Sequence, residues 1–557
     1  MIDAMMRRSV QLALIAGAVF ACGNLAFSQD GFRGVQRGFG TRQNARQGGQ
    51  RPAGMPGGQN NFGGAPGMGG FGGFGGPPPA GAAQPEQTKL KRPFGAGPYD
   101  TSAYMAGEIR VNVVLFESNG AIDPDTENWT KDEIDRVVGH VRNACSWWEE
   151  MWKRKKFVGE LHFTLDLKYA ETPFQTSYEP ISHGAFRDDR LWIGEFLNSL
   201  GYTGDKTRML YRFTADTIEK NDADFAFNIF IVKADNDRDH YFSDNYRSYT
   251  LGRHSEGVSD TYILTAYSRP YDWYSSQSFA HEMAHIFGAA DEYPGQGNYN
   301  ERAGYYGVQN TNAPDGNPNR NAIVPSLMNS SISTAFERHT TSPQSLEMVG
   351  WRDSDGDGII DVLDAPIEVS DFSSKLDLTD SNYQFSATFS VQKVPNHNRT
   401  KAITINSVDR LMYRFGESGE WKSTEEKDWR EERKTISHAW KIPAGAVLQW
   451  KVADSSGTTK SKTYTIGSVR DPKVAVERGT GAANFSFTPA TADTGIVGYK
   501  LRVDDREYDL GEKNTYRLTG LSAGRHDWRI QGVYSDSSVT DWLPCGSFTI
   551  PAAASRP

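Results

Sequence analysis

Cysteine is scarce in this chain of 557 residues: Cys22, Cys145 and Cys545 are all it has. Two lone cysteines beyond the N-terminus are no disulfide framework, and Cys145 and Cys545 read as buried thiols. Long apolar runs are missing too. After the N-terminal stretch no segment reaches the roughly 18 apolar residues of a spanning helix. A basic excess is absent, since 60 Lys and Arg face 69 Asp and Glu for a net charge of −9. That balance argues against nucleic acid as the main partner. Acidic residues all but vanish from 31–90, where Glu86 stands alone among 19 of the 56 glycines. Such a segment cannot bury enough apolar surface to offset chain entropy and reads as disordered. The skew excludes a single compact domain, and the lack of a three-residue glycine period excludes collagen.

What is present begins with an address. Arg7 and Arg8 precede an apolar run, Val10 to Cys22, and Ala26-Phe27-Ser28 offers a small-x-small cleavage site. This is the pattern of a signal peptide over 1–28, and it implies a secreted or extracytoplasmic protein. Val19-Phe20-Ala21-Cys22 is a loose lipobox, so a lipid anchor at Cys22 is the alternative. The run Gly31 to Arg51 resembles RNA-binding RGG segments. An export signal favours an exported linker or pro-segment over 29–98 instead.

Order is expected from Tyr99. Gly107–Ser118 alternates as a strand, and Thr130-Lys131-Asp132-Glu133 is a capping box opening a helix. Strands are expected at Leu161–Tyr169, Phe225–Val232 and Thr261–Tyr267. Helices are expected near Leu191–Leu200, from Ser276 to Phe287 and over Pro343–Val349. This reads as one mixed α/β domain over 99–352. After Asp364 short alternating strands recur, including Phe385–Val391, Ile403–Val408, Val447–Val452 and Thr463–Ile466. Two all-β sandwich modules are expected, 367–469 and 470–552. Tyr499-x-Leu501-x-Val503, Tyr516-x-Leu518-x-x-Leu521 and Trp528-x-Ile530 make the second resemble a fibronectin type III domain. The fold class is therefore multidomain, an α/β domain followed by β sandwiches.

The strongest chemical signal is His281-Glu282-Met283-Ala284-His285-Ile286-Phe287-Gly288-Ala289-Ala290-Asp291. Histidines at i and i+4 share one helix face and can reach one metal. Glu282 can touch a metal-bound water without ligating. Gly288 can take a positive φ and turn the chain back, which brings Asp291 in from a third direction. Three protein ligands and an open fourth position describe a catalytic zinc site, with Glu282 as general base.

This motif resembles the metzincin metallopeptidases, with the pattern H-E-x-x-H-x-x-G-x-x-[H/D]. The aspartate resembles snapalysin-like enzymes, and Asp291-Glu292-Tyr293 is similar to the IgA-protease group. Glu292 is thus a rival third ligand to Asp291. The resemblance assigns Met328, in Ser326-Leu327-Met328-Asn329, to a methionine turn beneath the zinc. It implies a twisted sheet with an active-site helix below a substrate cleft. It also implies an antiparallel edge strand, Thr261–Tyr267, that pairs with an extended peptide. A cysteine switch is excluded, and Asp100 is the candidate carboxylate for capping the metal in a precursor.

Asp353-Ser354-Asp355-Gly356-Asp357-Gly358-Ile359-Ile360-Asp361-Val362-Leu363-Asp364 is the second motif. It resembles the EF-hand-like loops of dockerin and thrombospondin type 3 repeats. Asp353, Asp355, Asp357, Asp361 and Asp364 are its calcium candidates, and calcium bound over 353–366 would stiffen the junction to the β modules. The cluster Asp235 to His240 reads as a loop. The expectation is an exported zinc metalloendopeptidase with structural calcium, acting on protein or glycoprotein substrates, its β modules binding a surface or glycan. The alternative is a non-catalytic adhesion protein on a peptidase-like scaffold.

Overall fold

The alternating segment Gly107–Ser118 forms the long strand β1, and the segment after Thr130 forms α1 (Lys131–Lys155). The capping box closes reciprocally. Thr130 Oγ1 accepts from the Glu133 amide, and Glu133 Oε2 accepts from the Thr130 amide at 2.9 Å, a cap of about 1 kcal/mol. The structure is a computed structural model that describes residues 92–552, except 251–260, 378–381, 398–401, 417–418, 443–446, 457–461, 467–468, 490–495, 536, 538 and 541. The signal segment 1–28, its Cys22 and 29–91 lie outside the described residues.

The first domain continues with β2 (Leu161–Leu167), β3 (Thr172–Thr176), α2 (Arg190–Ser199), α3 (Lys206–Asn221), β4 (Phe225–Lys233), β5 (Ser248–Thr250) and β6 (Tyr262–Tyr267). It ends with α4 (Asp272–Ile286), α5 (Ile332–Arg338) and α6 (Pro343–Met348). The sheet order is β2-β1-β4-β6-β5, with β3 pairing the far end of β1. β1, β4 and β6 are parallel, and β5 runs antiparallel along β6.

Strand alternation divides the core in two. Ile109, Val111, Val113, Phe227, Ile229 and Ile231 face α1 and α4, against Val137, Trp148, Phe279 and Met283. Val114, Phe116, Phe230, Val232 and Leu264 face α2 and α3, against Trp192, Phe196 and Met209. Helices on both faces explain why the central strands are buried throughout. Three expectations change. Tyr262–Tyr267 is an interior parallel strand, buried at every residue, and the antiparallel edge strand is β5. The 16-residue α3, capped by Asp205, was not foreseen. Order starts earlier than Tyr99: the Phe94 amide donates to Thr404 O at 2.8 Å.

The C-terminal region forms two sandwiches. The first contains β7 (Glu368–Asp377), β8 (Asn382–Ser390), β9 (Val408–Phe415), β10 (Lys422–Ser423), β11 (Arg433–Lys441), β12 (Leu448–Asp454) and β13 (Tyr464–Ile466). Its sheets are β11-β8-β7 and β10-β9-β12-β13. The second contains β14 (Val469–Glu477), β15 (Ala482–Pro489), β16 (Ile496–Val503), β17 (Arg506–Gly511), β18 (Thr515–Leu518), β19 (Gly524–Tyr534) and β20 (Leu543–Ile550). Its sheets are β14-β15-β18 and β17-β16-β19-β20. Strand for strand the two modules share one topology. The cores differ: Trp440 and Trp450 stack with Phe385 in the first, and Trp528 packs on Phe485 in the second. Ile403–Val408 is not a strand, since only Val408 begins one.

Cys145 is buried and Cys545 half-buried, both free. Burial pushes the Cys545 thiol up to about 12. Among the described residues no helix is long and apolar enough to cross a membrane.

Candidate metal centre

The zinc-type motif occupies the end of α4. His281 and His285 leave one face of the helix, and Gly288 takes φ 93° just beyond it. The Ala289 amide returns to Ala284 O at 3.0 Å and the chain reverses. Asp291 is thereby carried back to the histidines. His281 Nε2 and His285 Nε2 lie 3.1 Å apart, and each lies 3.2 Å from Asp291 Oδ1. Tetrahedral zinc with bonds of about 2.0–2.1 Å sets neighbouring ligand atoms about 3.3 Å apart. The three atoms already stand at that spacing.

The imidazoles are oriented through their other nitrogens. His281 Nδ1 lies 3.0 Å from Leu327 O and His285 Nδ1 lies 2.7 Å from Ala289 O. A carbonyl can only accept, so each Nδ1 donates to it and each Nε2 points inward at Asp291 Oδ1. Asp291 Oδ1 is buried with no hydrogen bond of good geometry, despite the two nearby nitrogens. Burial alone would raise the Asp291 pKa, yet the two imidazoles hold it well below the usual carboxylate range. Burial alone would lower the His285 pKa, yet Asp291 brings it up to about 10. The electrostatics of the cluster favour a positive charge at its centre.

Glu282 is buried beside the cluster, and its Oε2 accepts from Thr250 Oγ1 at 2.8 Å. Thr250 belongs to the edge strand, so the sheet border positions this carboxylate. Nothing in the local sequence pointed to Thr250. Glu292 turns away from the histidines. Its oxygens accept from Asn312 Nδ2 at 2.7 Å, from Ser345 Oγ at 2.8 Å and from Ser342 Oγ. The rival ligand is a structural carboxylate that anchors the start of α6.

Met328 is fully buried in the core that holds Met283 and Ile286. Its carbonyl accepts from the Glu292 amide at 2.8 Å. The 326–329 turn therefore supports the cluster twice, through Leu327 O on His281 and Met328 O behind Asp291. Asp291 O is held by Asn310 Nδ2 at 2.7 Å. Gly297 passes so close that a Cβ there would lie 1.9 Å from the same oxygen. Asp100 Oδ2 accepts from the Gly97 amide at 2.7 Å, and Asp100 is not part of the cluster. The Tyr293 ring lies 6.3 Å from that of His281. Burial, Asp291 and Glu282 push its phenol pKa far up, so it stays a proton donor.

The aspartate loop gathers Asp353, Asp355 and Asp357, with oxygens within 4.8 Å of one another. Gly356 and Gly358 take φ 77° and 89°, which lets the chain curl inward. Asp353 already accepts from the Gly356 and Gly358 amides at 2.8 and 3.0 Å. Asp361 stands outside the group and closes the loop on Ser354, at 2.8 Å to its amide and 2.7 Å to its hydroxyl. Asp364 is not in the group either. Ile359, Ile360, Val362 and Leu363 sink into the α/β core, and the Val158 amide donates to Gly358 O at 2.7 Å. The loop is part of the first domain and braces the end of α1.

The loop also meets the first sandwich, where Asn406 Nδ2 donates to Leu363 O at 3.2 Å. The Ile405 amide donates to Tyr104 Oη at 2.8 Å, and Tyr305 Oη to Val394 O at 2.7 Å. Asp235 to His240 forms a loop, with Asp237 Oδ1 accepting from the Asp239 and His240 amides.

No protein-family model matches this chain, and no curated protein matches it. Solved structures give partial likenesses. The fibronectin type III domain of human fibronectin type III domain containing protein 3 is 16% identical, over 15% of this chain and 87% of that one, at TM-score 0.12. Chicken CNTN1 FN1-FN3 domains are 12% identical, over 30% and 60%, at 0.14. The Yersinia enterocolitica family 28 exopolygalacturonase is 11% identical, over 15% and 20%, at 0.14. This chain spans about a fifth of that enzyme's length.

Proposed function

We propose that this chain is an exported, metzincin-like zinc metalloendopeptidase. The observation that carries the reading is the convergence of His281 Nε2, His285 Nε2 and Asp291 Oδ1 at 3.1–3.2 Å. The sheet order, the antiparallel edge strand and the 326–329 turn support the family resemblance. When bound, zinc supplies Lewis acidity toward a water and a peptide carbonyl. Glu282 takes the proton of the water at its carboxylate and returns it to the leaving nitrogen. Thr250 holds Glu282 Oε2, which assigns the transfer to Oε1. β5 offers its border to an extended substrate. Tyr293 keeps its proton and braces Asp291.

The β modules are read as fibronectin type III-like units that bind a glycan or protein surface, and the aspartate loop as a structural calcium site. The test is direct. Purified protein should hold about one zinc per chain and cleave an unfolded protein. Glu282→Ala should retain the zinc and lose about 10²–10⁴-fold in rate. Equal activity of the two proteins would sink the reading.

A further inference from the structure

In the first sandwich, register sets Arg414 of β9 opposite Gln449 of β12, Gln449 opposite Thr465 of β13, and Met412 opposite Lys451. Trp421 comes one step before Lys422 of β10, which pairs with Tyr413, and so falls on the Arg414 side. Leu411, Tyr413 and Trp450 belong to the core. Alternation therefore sends Arg414, Gln449, Lys451 and Thr465 to the opposite face of the sheet.

Two cations meet one indole on that face. Lys451 Nζ stands 4.4 Å from the centre of the Trp421 ring, and the Arg414 guanidinium carbon 4.7 Å. Arg414 Nε donates to Gln449 Oε1 at 2.7 Å and Nη1 to Gly419 O at 3.4 Å. Lys451 is 6% exposed, and among the described residues no hydrogen bond or carboxylate satisfies it. Burial, and then the like charge of Arg414, lower its pKa. The indole offsets part of this cost, but a buried ammonium beside a guanidinium is fully stabilised only when an anion joins them.

The strand order limits what can carry that anion. β9 and β12 each have a strand on both sides, so an extended peptide cannot add along them by backbone pairing. Recognition falls to side chains. A sugar unit bearing a carboxylate or a sulfate ester suits this set, with its anion on Lys451 and the planar guanidinium and its apolar ring face on the half-buried Trp421.

We propose that this face of the first sandwich binds an acidic polysaccharide through Lys451, Arg414 and Trp421. This rests on the reading of the β modules as binding units and names their ligand class.

The test titrates the full chain with polygalacturonate and its methyl ester, with dextran sulfate and dextran, and with poly-glutamate. At least one acidic glycan should bind about tenfold or more tighter than its neutral counterpart, and the pair that shows the gap identifies the anion as carboxylate or sulfate. Lys451→Met keeps the apolar stem and should close the gap to within about twofold while the melting temperature holds, since it removes a buried charge. Lys451→Arg should retain part of the gap, and Trp421→Ala should weaken binding by about tenfold or more. Equal binding of acidic and neutral glycans, or a gap that survives Lys451→Met, overturns the site and leaves the binding-module reading standing. Poly-glutamate bound as tightly through Lys451 overturns the sugar class in favour of an acidic peptide. No binding of any of the five overturns the site and the binding-module reading together. Cleavage of a short peptide should be equal in wild type and Lys451→Met, so the peptidase reading is judged separately.

Discussion

The two candidate metal clusters bring together the same number of residues and prepare them in opposite ways. At the α4 end, backbone carbonyls from outside the ligand set fix both imidazoles, and the half-buried carboxylate turns its buried Oδ1 toward them. In the aspartate loop the carboxylates bind amides of their own loop, and Asp355 and Asp357 remain exposed. Burial removes water as a competitor and makes a missing cation costly. Exposure leaves solvent to do much of what a cation would do. A short loop can organise itself locally, whereas the buried site needs the 289, 310 and 327 segments to be in place first.

The comparison breaks most sharply at the imidazoles. His285→Ala should abolish stoichiometric zinc and lower peptidase activity by more than about 10²-fold, checked by metal analysis and peptide hydrolysis. The fold should survive, because α4 keeps its buried face.

Next comes the outer support. Gly297→Ala places a methyl against Asp291 O and should displace the third ligand. Expected is a loss of about 10–100-fold in zinc affinity with about 1–3 kcal/mol of stability, read by chelator competition and denaturant unfolding. In the aspartate loop the corresponding change, Gly358→Ala, puts a methyl 3.2 Å from Lys156 O.

The loop itself should respond more gently. At calcium about tenfold above a Kd near 10⁻⁴ M, the stabilisation is about 1.4 kcal/mol. Calcium should raise the melting temperature of the first domain by a few degrees, and Asp353→Asn with Asp355→Asn should erase that rise. Because Ile359–Leu363 lie in the α/β core, the rise belongs to that domain. An effect confined to the sandwiches would contradict the placement.

The smallest effect concerns the anchor of α4. Asp272 Oδ1 accepts from Tyr267 Oη at 2.6 Å and pairs with His140 Nε2 at 2.9 Å. Burial alone would raise its pKa, but these hydrogen bonds outweigh it and lower the value from 3.8. A lowered carboxylate pKa stabilises the fold above the unfolded value and is lost as pH falls through the folded one. Asp272→Asn should therefore cost about 0.5–1.5 kcal/mol near neutrality. The difference from wild type should close as pH falls through the lowered carboxyl pKa, as read by urea midpoints.

Local pattern carried much of this molecule. β1 could be read from alternation, α1 from its capping box, and the ligand helix from His281 and His285 at four-residue spacing. Gly288 foretold the turn that returns Asp291. The first sandwich had no motif to reveal that it repeats the second, because a shared strand order is compatible with unrelated core residues. α3 escaped because its apolar positions are interleaved with threonines and charges. Its face becomes apolar only when Asn228 takes up Thr214 and Asn112 takes up Thr217.

Residue types at short spacing thus determined which groups could hold a metal and which carboxylate stands next to them. That information is local, since a helix turn fixes it. Tertiary structure decided between Asp291 and Glu292, since only the packing of α6 supplies Ser342 and Ser345 to draw Glu292 away. It also decided which strand forms the border of the sheet, which carbonyls face the imidazoles and that Gly297 must lack a side chain. These depend on segments far apart in the chain meeting within a few ångströms, and no periodicity in the sequence records such a meeting.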